Sequence, residues 1–293
     1  MKKRKRLKIS TICLHLFFVF LMFICIYPIL LILFNAVTSE EHIKNIGYVM
    51  FPTDFSLEAF KFLMKDYRQL VQSLWASIVY AVFGTLFSTV VQAMIGYTLT
   101  KPKFILRKPI MVLLIITMFF NAGLIPSYMV YTKMYHLENT WLVYILPGSV
   151  SAFSVVIYRT YFSSIPQSLI ESAEIDGASN MQVLRKIMMP LSLPIVATQF
   201  FLNMAGRWKD YTRSLYYITD KSMVVLEHYV QQIMQDVQVL AQNASMLGLS
   251  ADEYPVESMR FAVVFFTVIP MLLIFPLLQK YFEKGAMIGA VKG

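Results

Sequence analysis

The residues best suited to chemistry in this chain lie between positions 164 and 190, and the chemistry they fit is docking rather than bond making. Ser164-Ile165-Pro166-Gln167-Ser168-Leu169-Ile170-Glu171-Ser172-Ala173-Glu174-Ile175-Asp176-Gly177-Ala178-Ser179 mixes carboxylates with small side chains. Ser172, Ala173, Gly177 and Ala178 allow a partner to approach closely, while Glu171 and Asp176 can pair with its basic groups. Local rules predict the shape of this segment. Ser164 is expected to cap a short helix that carries Pro166 in its first turn and runs to about Ile175. Gly177 suits the left-handed position after a helix end. Ser179 and Gln182 form an S-x-x-Q capping box for a second helix. That helix places Val183, Leu184, Ile187 and Met188 on an apolar side, and Pro190 ends or kinks it. The product is a helix–glycine–helix elbow, which an external motor can push and pull. An ordinary amphipathic surface loop would read the same way.

No catalytic constellation competes with the elbow. The sequence holds no G-x-x-x-x-G-K-[ST] segment, and in Gly285–Gly293 no Ser or Thr follows Lys292. His15, His42, His136 and His228 are scattered over separate segments and read as interfacial or loop histidines. Cys13 and Cys25 lie more than three helical turns apart, so they cannot pair within one helix and form no metal spacing. The chain is therefore expected to be no enzyme and to hold no cofactor or metal.

The elements that must position the elbow are membrane spans. Hydrophobic residues make up 57% of the chain and charged residues 15%, against about 45–50% and about 25% in soluble domains. The apolar surplus is concentrated in blocks, giving an all-α, polytopic membrane protein with six expected transmembrane helices. The blocks are about Ile12–Val37, Ser73–Leu99, Ile110–Val130, Trp141–Tyr161, Leu191–Ala205 and Phe261–Tyr281; the fifth is short, with Pro190 and Pro194 at its entry. Residues 1–11 form a basic N-terminus and 12–293 one transmembrane domain, with the elbow at 163–190 and a tail at 282–293. The first block is too long for a leader's apolar region and lacks a small-x-small cleavage site, so a retained span is expected. Thr38–Gln72 and Arg207–Met259 become long outer segments, with Met234–Leu247 expected to be helical.

Charge sets the orientation. With the N-terminus inside, cytoplasmic segments hold sixteen of the 26 basic residues but only four of the 17 acidic ones. The positive-inside rule then puts both termini and the elbow in the cytoplasm. The same rule accounts for the net charge of +9 without nucleic acid. The spans carry almost no acidic residues, which argues against proton or sodium coupling. Energy must enter from outside the spans, or the protein is a passive channel.

At the elbow a resemblance becomes specific. Bacterial ABC importer permeases carry the loop E-A-A-x3-G-x9-I-x-L-P, and Glu171, Ala173, Gly177, Ile187 and Pro190 match it in spacing, with Ser172 in place of the first Ala and Met189 in place of Leu. Phe120-Asn121-Ala122-Gly123-Leu124-Ile125-Pro126-Ser127-Tyr128, Asn139-Thr140-Trp141, Ile145-Leu146-Pro147-Gly148 and Arg159-Thr160-Tyr161-Phe162 resemble the LplC/YtcP-type permeases of carbohydrate uptake transporter family 1. Gly289-Ala290-Val291-Lys292-Gly293 is similar to the tail of MalG-type permeases.

The resemblance implies a MetI-like fold in the bacterial cytoplasmic membrane. It implies a second, LplB/MalF-like permease subunit, two copies of an ATPase that bind ATP and Mg2+, and an extracytoplasmic sugar-binding protein. Glu171, Ser172, Ala173, Asp176, Gly177, Ile187 and Pro190 would then couple to the ATPase, and Gly289, Ala290, Val291, Lys292 and Gly293 would reach the ATPase interface. An oligosaccharide would be the cargo, with Asn121, Tyr128, Asn203 and Trp208 as candidate contacts. The loop alone would equally permit a permease for an amino acid, a peptide or a phosphonate.

Overall fold

The structure is a computed structural model that describes residues 9–246 and 255–290. Every regular element among the described residues is helical, apart from one isolated antiparallel bridge between Thr38 and Phe55. The chain divides into two compact units, Met1–Tyr67 with Val230–Ile269, and Arg68–Tyr229 with Pro270–Gly293.

In the first unit, helix α1 (Ile9–Ala36) exposes most of its large apolar side chains up to Leu30, as well as Cys13 and Cys25. Asn35 closes its end by bonding the backbone of Leu31 and both backbone groups of Val49. Ser39 then caps α2 (Glu40–Ile46). Glu40 is buried, and its carboxylate accepts hydrogen bonds from the Glu257 and Ser258 amides at 3.0 and 2.9 Å and from the Ser258 hydroxyl at 2.9 Å. These amides open the last helix, where the preceding Pro255 has no capping side chain, so Glu40 supplies the negative group that a helix N-terminus favours. Phe60, from α3 (Glu58–Leu63), meets Phe265 and Phe266 edge-on and tilted.

The second unit is organised along α4 (Tyr67–Thr98). One face of α4 is small and polar: Ser73, Ser77, Gly84, Ser88, Gln92 and Gly96 recur at about one helical turn and are buried. Small side chains are what let helix backbones approach closely in a membrane. A Cβ on Gly96 would stand 2.7 Å from the Tyr158 Cβ, and one on Gly84 would stand 2.7 Å from the Arg207 guanidinium.

The third and fourth apolar blocks differ from plain spans because each is broken. The third is α5 (Arg107–Phe119) followed by α6 (Leu124–Met129), which runs on into a π-helical turn at Val130–Met134. Between them, Phe120 is extended and Gly123 has φ of +85°, which a glycine tolerates. The fourth is α7 (Leu142–Ile145) and then α8 (Ala152–Ser163), separated by Pro147 and by Gly148 at φ +71°. A proline without an N–H next to a left-handed glycine cannot continue a helix.

After α8 come α9 (Gln167–Ile175) and α10 (Asn180–Val183). A π-helical turn at Leu184–Met188 leads into α11 (Met189–Leu191), and then α12 (Leu193–Trp208) begins. The chain bends by 85° between Leu191 and Leu193, with Pro190 and Pro194 flanking the bend. Helix α13 (Thr212–Tyr217), α14 (Leu226–Met246) and α15 (Val256–Ala290) complete the order, and α14 includes most of the predicted outer helix. Among the described residues three helices are long and apolar enough to cross a membrane, or four if the bent pair is one span.

Candidate functional site

The predicted elbow is present, with one correction. Ser164 does not cap its first helix. The Ser164 hydroxyl donates to the Tyr161 carbonyl at 2.7 Å and so closes α8, while Pro166 occupies the cap position of α9 without a side-chain bond. Proline needs no N–H there and its fixed φ suits helix entry. Gly177 has φ of +79°, and the amides of Gly177 and Ala178 return to the carbonyls of Glu174 and Ala173. The capping box is complete: Ser179 accepts from the Gln182 amide, and the Gln182 side chain accepts from the Ser179 amide at 2.7 Å.

The inner face of the elbow is anchored. Ile170, Val183, Leu184 and Met188 pack with Ala93 and Tyr97 of α4 and with Tyr158 and Phe162 of α8. Ile187 and Ala173 lie half-buried at the margin of this cluster. Lys101, just past the end of α4, reaches the Glu174 carboxylate at 2.8 Å, with its ammonium 4.9 Å from the Tyr97 ring centre. The outer face is bare. Glu171, Ser172, Asp176, Gly177 and Pro190 are exposed. Ile175 is 86% exposed at the tip. The sequence held a signal for this: Ile175 lies five residues after the buried Ile170, about 140° around a helix, and so cannot share its inward face. A cleft of about 680 Å³ runs along the elbow, edged by Gln167, Glu171, Glu174, Lys101 and Lys103.

The hydrogen bond and charge of Lys101 hold the Glu174 carboxyl below its usual range. For Lys101, burial acts to lower the pKa, but the bonds to Glu174 and Tyr97 outweigh it and raise it. A depressed carboxylate contributes its hold above its ordinary pKa and loses it as pH falls through the lowered value; a raised ammonium loses its hold only as pH rises through its own higher value. The strap between elbow and α4 is therefore expected to be intact at neutral pH and to loosen only in acid below the ordinary glutamate range. Spin labels at positions 103 and 178 would report it as a broadened distance distribution, and Lys101→Met would be broad at every pH.

A second assembly, unanticipated from the sequence, surrounds the break in the fourth block. That break frees carbonyls which, in a dry interior, need partners. Arg207 is buried at the end of α12 and donates to the Tyr144 carbonyl at 2.8 Å, the Ser88 hydroxyl at 2.5 Å and the Gly148 carbonyl at 3.4 Å. Arg213 donates to the Pro147 carbonyl and, through Nε, to Asp210 at 2.8 Å. Gln92 donates to the Ser149 carbonyl at 3.0 Å. Tyr80 donates to Asp210 at 2.7 Å, and its ring lies 5.5 Å from the Arg207 guanidinium carbon. Three side chains thus hold four carbonyls of one interruption. The available signal was the Arg207, Asp210 and Arg213 spacing of three, which puts the charges on one helical face if the helix is extended past Ala205.

The candidate cargo contacts separate. Asn121 sits at the first break and lines an open cleft of about 530 Å³ together with Ser127, Tyr131, Thr212, Tyr216 and others. Tyr128 is stacked on Tyr217 with ring centres 5.6 Å apart, so it supports that region from behind. Asn203 is half-buried and bonds the Gln199 carbonyl, and Trp208 is buried; neither lines the cleft. Gly289 and Ala290 end α15, and Val291, Lys292 and Gly293 lie outside the described residues.

Residues 73–288 match the profile of a family described as binding-protein-dependent transport system inner membrane component. The chain is 32% identical over 270 residues to the Bacillus subtilis polygalacturonan/rhamnogalacturonan transport system permease protein YtcP, covering 92% of this chain and 93% of the relative. It is 30% identical over 293 residues to protein LplC of the same organism, covering 100% of this chain and 98% of the relative. Its fold is similar to a chain in the crystal structure of a bacterial ABC transporter involved in the import of the acidic polysaccharide alginate. The TM-score there is 0.78 at 26% identity, over 95% of this chain and all of the other.

Proposed function

The chain belongs to the family of binding-protein-dependent transport system inner membrane components, and from that membership we propose that it forms half the path of an ATP-driven oligosaccharide importer. It is a multi-pass membrane protein, and its relatives include carbohydrate-transport permeases, as the resemblance of the segments at 120–128, 139–148 and 159–162 led one to expect. In this proposal the chain has six spans, the two broken blocks each counting as one, with both termini in the cytoplasm. A second LplB/MalF-like permease completes the path. Two copies of an ATPase, which bind ATP and Mg2+, dock on Glu171–Pro190, and Gly289–Gly293 reach their interface. An extracytoplasmic binding protein delivers the sugar. Complex oligosaccharides are the favoured cargo, since relatives carry names such as polygalacturonan/rhamnogalacturonan and arabinooligosaccharides transport permease.

The observation that carries this reading is the two-faced elbow. Its inner face is packed and strapped to α4, while its outer face offers Ile175 beside Glu171 and Asp176, all three exposed among the described residues. An exposed isoleucine ringed by carboxylates fits a socket with an apolar centre and a basic rim.

Charge reversal provides the test. Glu171 is exposed and outside the elbow's buried cluster, so Glu171→Lys is expected to leave the permease folded but to lower ATP-driven sugar uptake at least tenfold. Uptake and ATPase association both equal to wild type would sink the docking assignment. In a deletion strain, growth lost only on amino acids or peptides, and not on oligosaccharides, would overturn the cargo.

A further inference from the structure

The two interruptions in the apolar blocks meet at one place. Asn121 and Gly123 of the first break and Pro147 of the second line the same cleft of about 530 Å³, a volume within the range of small-molecule sites. Interrupted spans are where membrane carriers bring backbone and polar groups to their cargo, because irregular backbone is tolerated only beside protein or a cavity. Under the orientation set by basic residues, all of these positions fall in the outer half of the protein, where an imported solute arrives.

The lining defines the ligand's chemistry. Two charged groups border the cleft among the described residues, Asp210 and Arg213, and they neutralise each other at 2.8 Å. Arg213 also spends a donor on the Pro147 carbonyl. Asp210 is further occupied by the Tyr80 hydroxyl and by the Thr212 amide and hydroxyl. No unmatched cation is left to meet a carboxylate. The hydroxyls of Ser127 and Thr212 already donate, to the Gly123 carbonyl and to Asp210, so toward the cleft they present lone pairs. The Asn121 carbonyl oxygen accepts from the Gly123 amide, which leaves its NH2 as a donor. Tyr216 is 40% exposed and lines the cleft.

From this arrangement, and resting on the importer reading above, we infer that the cleft is a subsite for an uncharged sugar ring. The apolar C–H face of the sugar stacks on Tyr216. Its hydroxyls donate to Ser127 and Thr212 and accept from Asn121. A uronate carboxylate meets no uncompensated positive charge there, because Arg213 is already paired with Asp210. Tyr128 and Tyr131, packed face-on and edge-on against Tyr217, brace the helix that presents Tyr216.

The test uses the complete transporter in proteoliposomes with saturating binding protein, and arabinotriose and trigalacturonate as radiolabelled probes. Tyr216→Ala is expected to cut initial arabinotriose uptake about tenfold, the scale of one aromatic contact, and Tyr216→Phe to stay within about twofold. Asn121→Ala, at an exposed break where misfolding is not expected, should also lower uptake severalfold. Thermal unfolding of each variant normalises for folded protein. Wild-type-like uptake by Tyr216→Ala and Asn121→Ala would remove the subsite and leave the importer reading standing. Equal impairment by Ala and Phe at 216 would remove stacking. Wild-type uptake of trigalacturonate without arabinotriose would overturn the uncharged-ring assignment. Uptake of neither, with ATPase activity stimulated by an amino acid or peptide, would overturn the oligosaccharide cargo on which this subsite rests.

Discussion

Replacing Arg207 with alanine should destabilise the second unit by about 3–5 kcal/mol, because it strips a buried charged donor from several acceptors at once. The Tyr144 and Gly148 carbonyls and the Ser88 hydroxyl would each lose a partner in a region sealed by Tyr80 and Tyr144. Arg207→Lys should recover less than half of this. A single ammonium cannot reproduce the planar fork that spans acceptors on two different elements. The unfolding midpoint of purified protein in detergent would measure the loss, and protease cleavage near residues 146–151 would locate it. A loss below about 1 kcal/mol would mean that the freed carbonyls find other partners, so that the arginine does not secure the break.

The second large effect belongs to Gly177. Its φ of +79° lies where β-branched residues are strongly disfavoured, yet a Cβ there would meet nothing within 4 Å. The cost of Gly177→Val is therefore conformational, about 1–3 kcal/mol, and the chain can relieve it by re-angling α10 relative to α9. Association with the ATPase should be lost and uptake reduced more than tenfold. Gly177→Asn has a side chain of similar bulk but tolerates the left-handed region, so it should retain most of the association. If Asn and Val proved equally damaging, bulk at the contact would be the cause, and the elbow's angle would not matter. Ile175→Glu leaves the backbone alone and removes the exposed apolar tip; its expected loss of association separates the anchor from the hinge.

How much of this was readable depended on the range of the rule applied. The elbow follows from residues within about five positions of each other, so Gly177, the Ser179–Gln182 box and the apolar side at Val183, Leu184 and Met188 were all legible. Ser164 misled because two claims compete for it, and closing α8 won over opening α9. The apolar blocks were legible as blocks. Their breaks were not, because hydropathy averaged over a span gives Asn121 and Pro147 no more weight than any other position. Arg207 stayed hidden for a related reason. The fifth block appeared to end at Ala205, which assigned the arginine to an outer loop, whereas α12 runs to Trp208 and turns the guanidinium inward. Among the cargo candidates, residue type was a poor guide to position: Trp208 is inside the fold, while Tyr216 and Thr212 face the cleft.

Helix α4 has 32 residues, a straight run of roughly 48 Å. Near one end Tyr97 grips the elbow, and in its middle Tyr80 and Ser88 grip the arginine assembly of the fourth block. These attachments lie on one uninterrupted rod, since neither proline nor a positive φ occurs within it. Such a rod works as a crank. A small tilt applied at the elbow is delivered to the interruption at Pro147–Gly148 without passing through any soft joint. Compliance is then expected where the helices are already broken, at the cleft between the two interruptions.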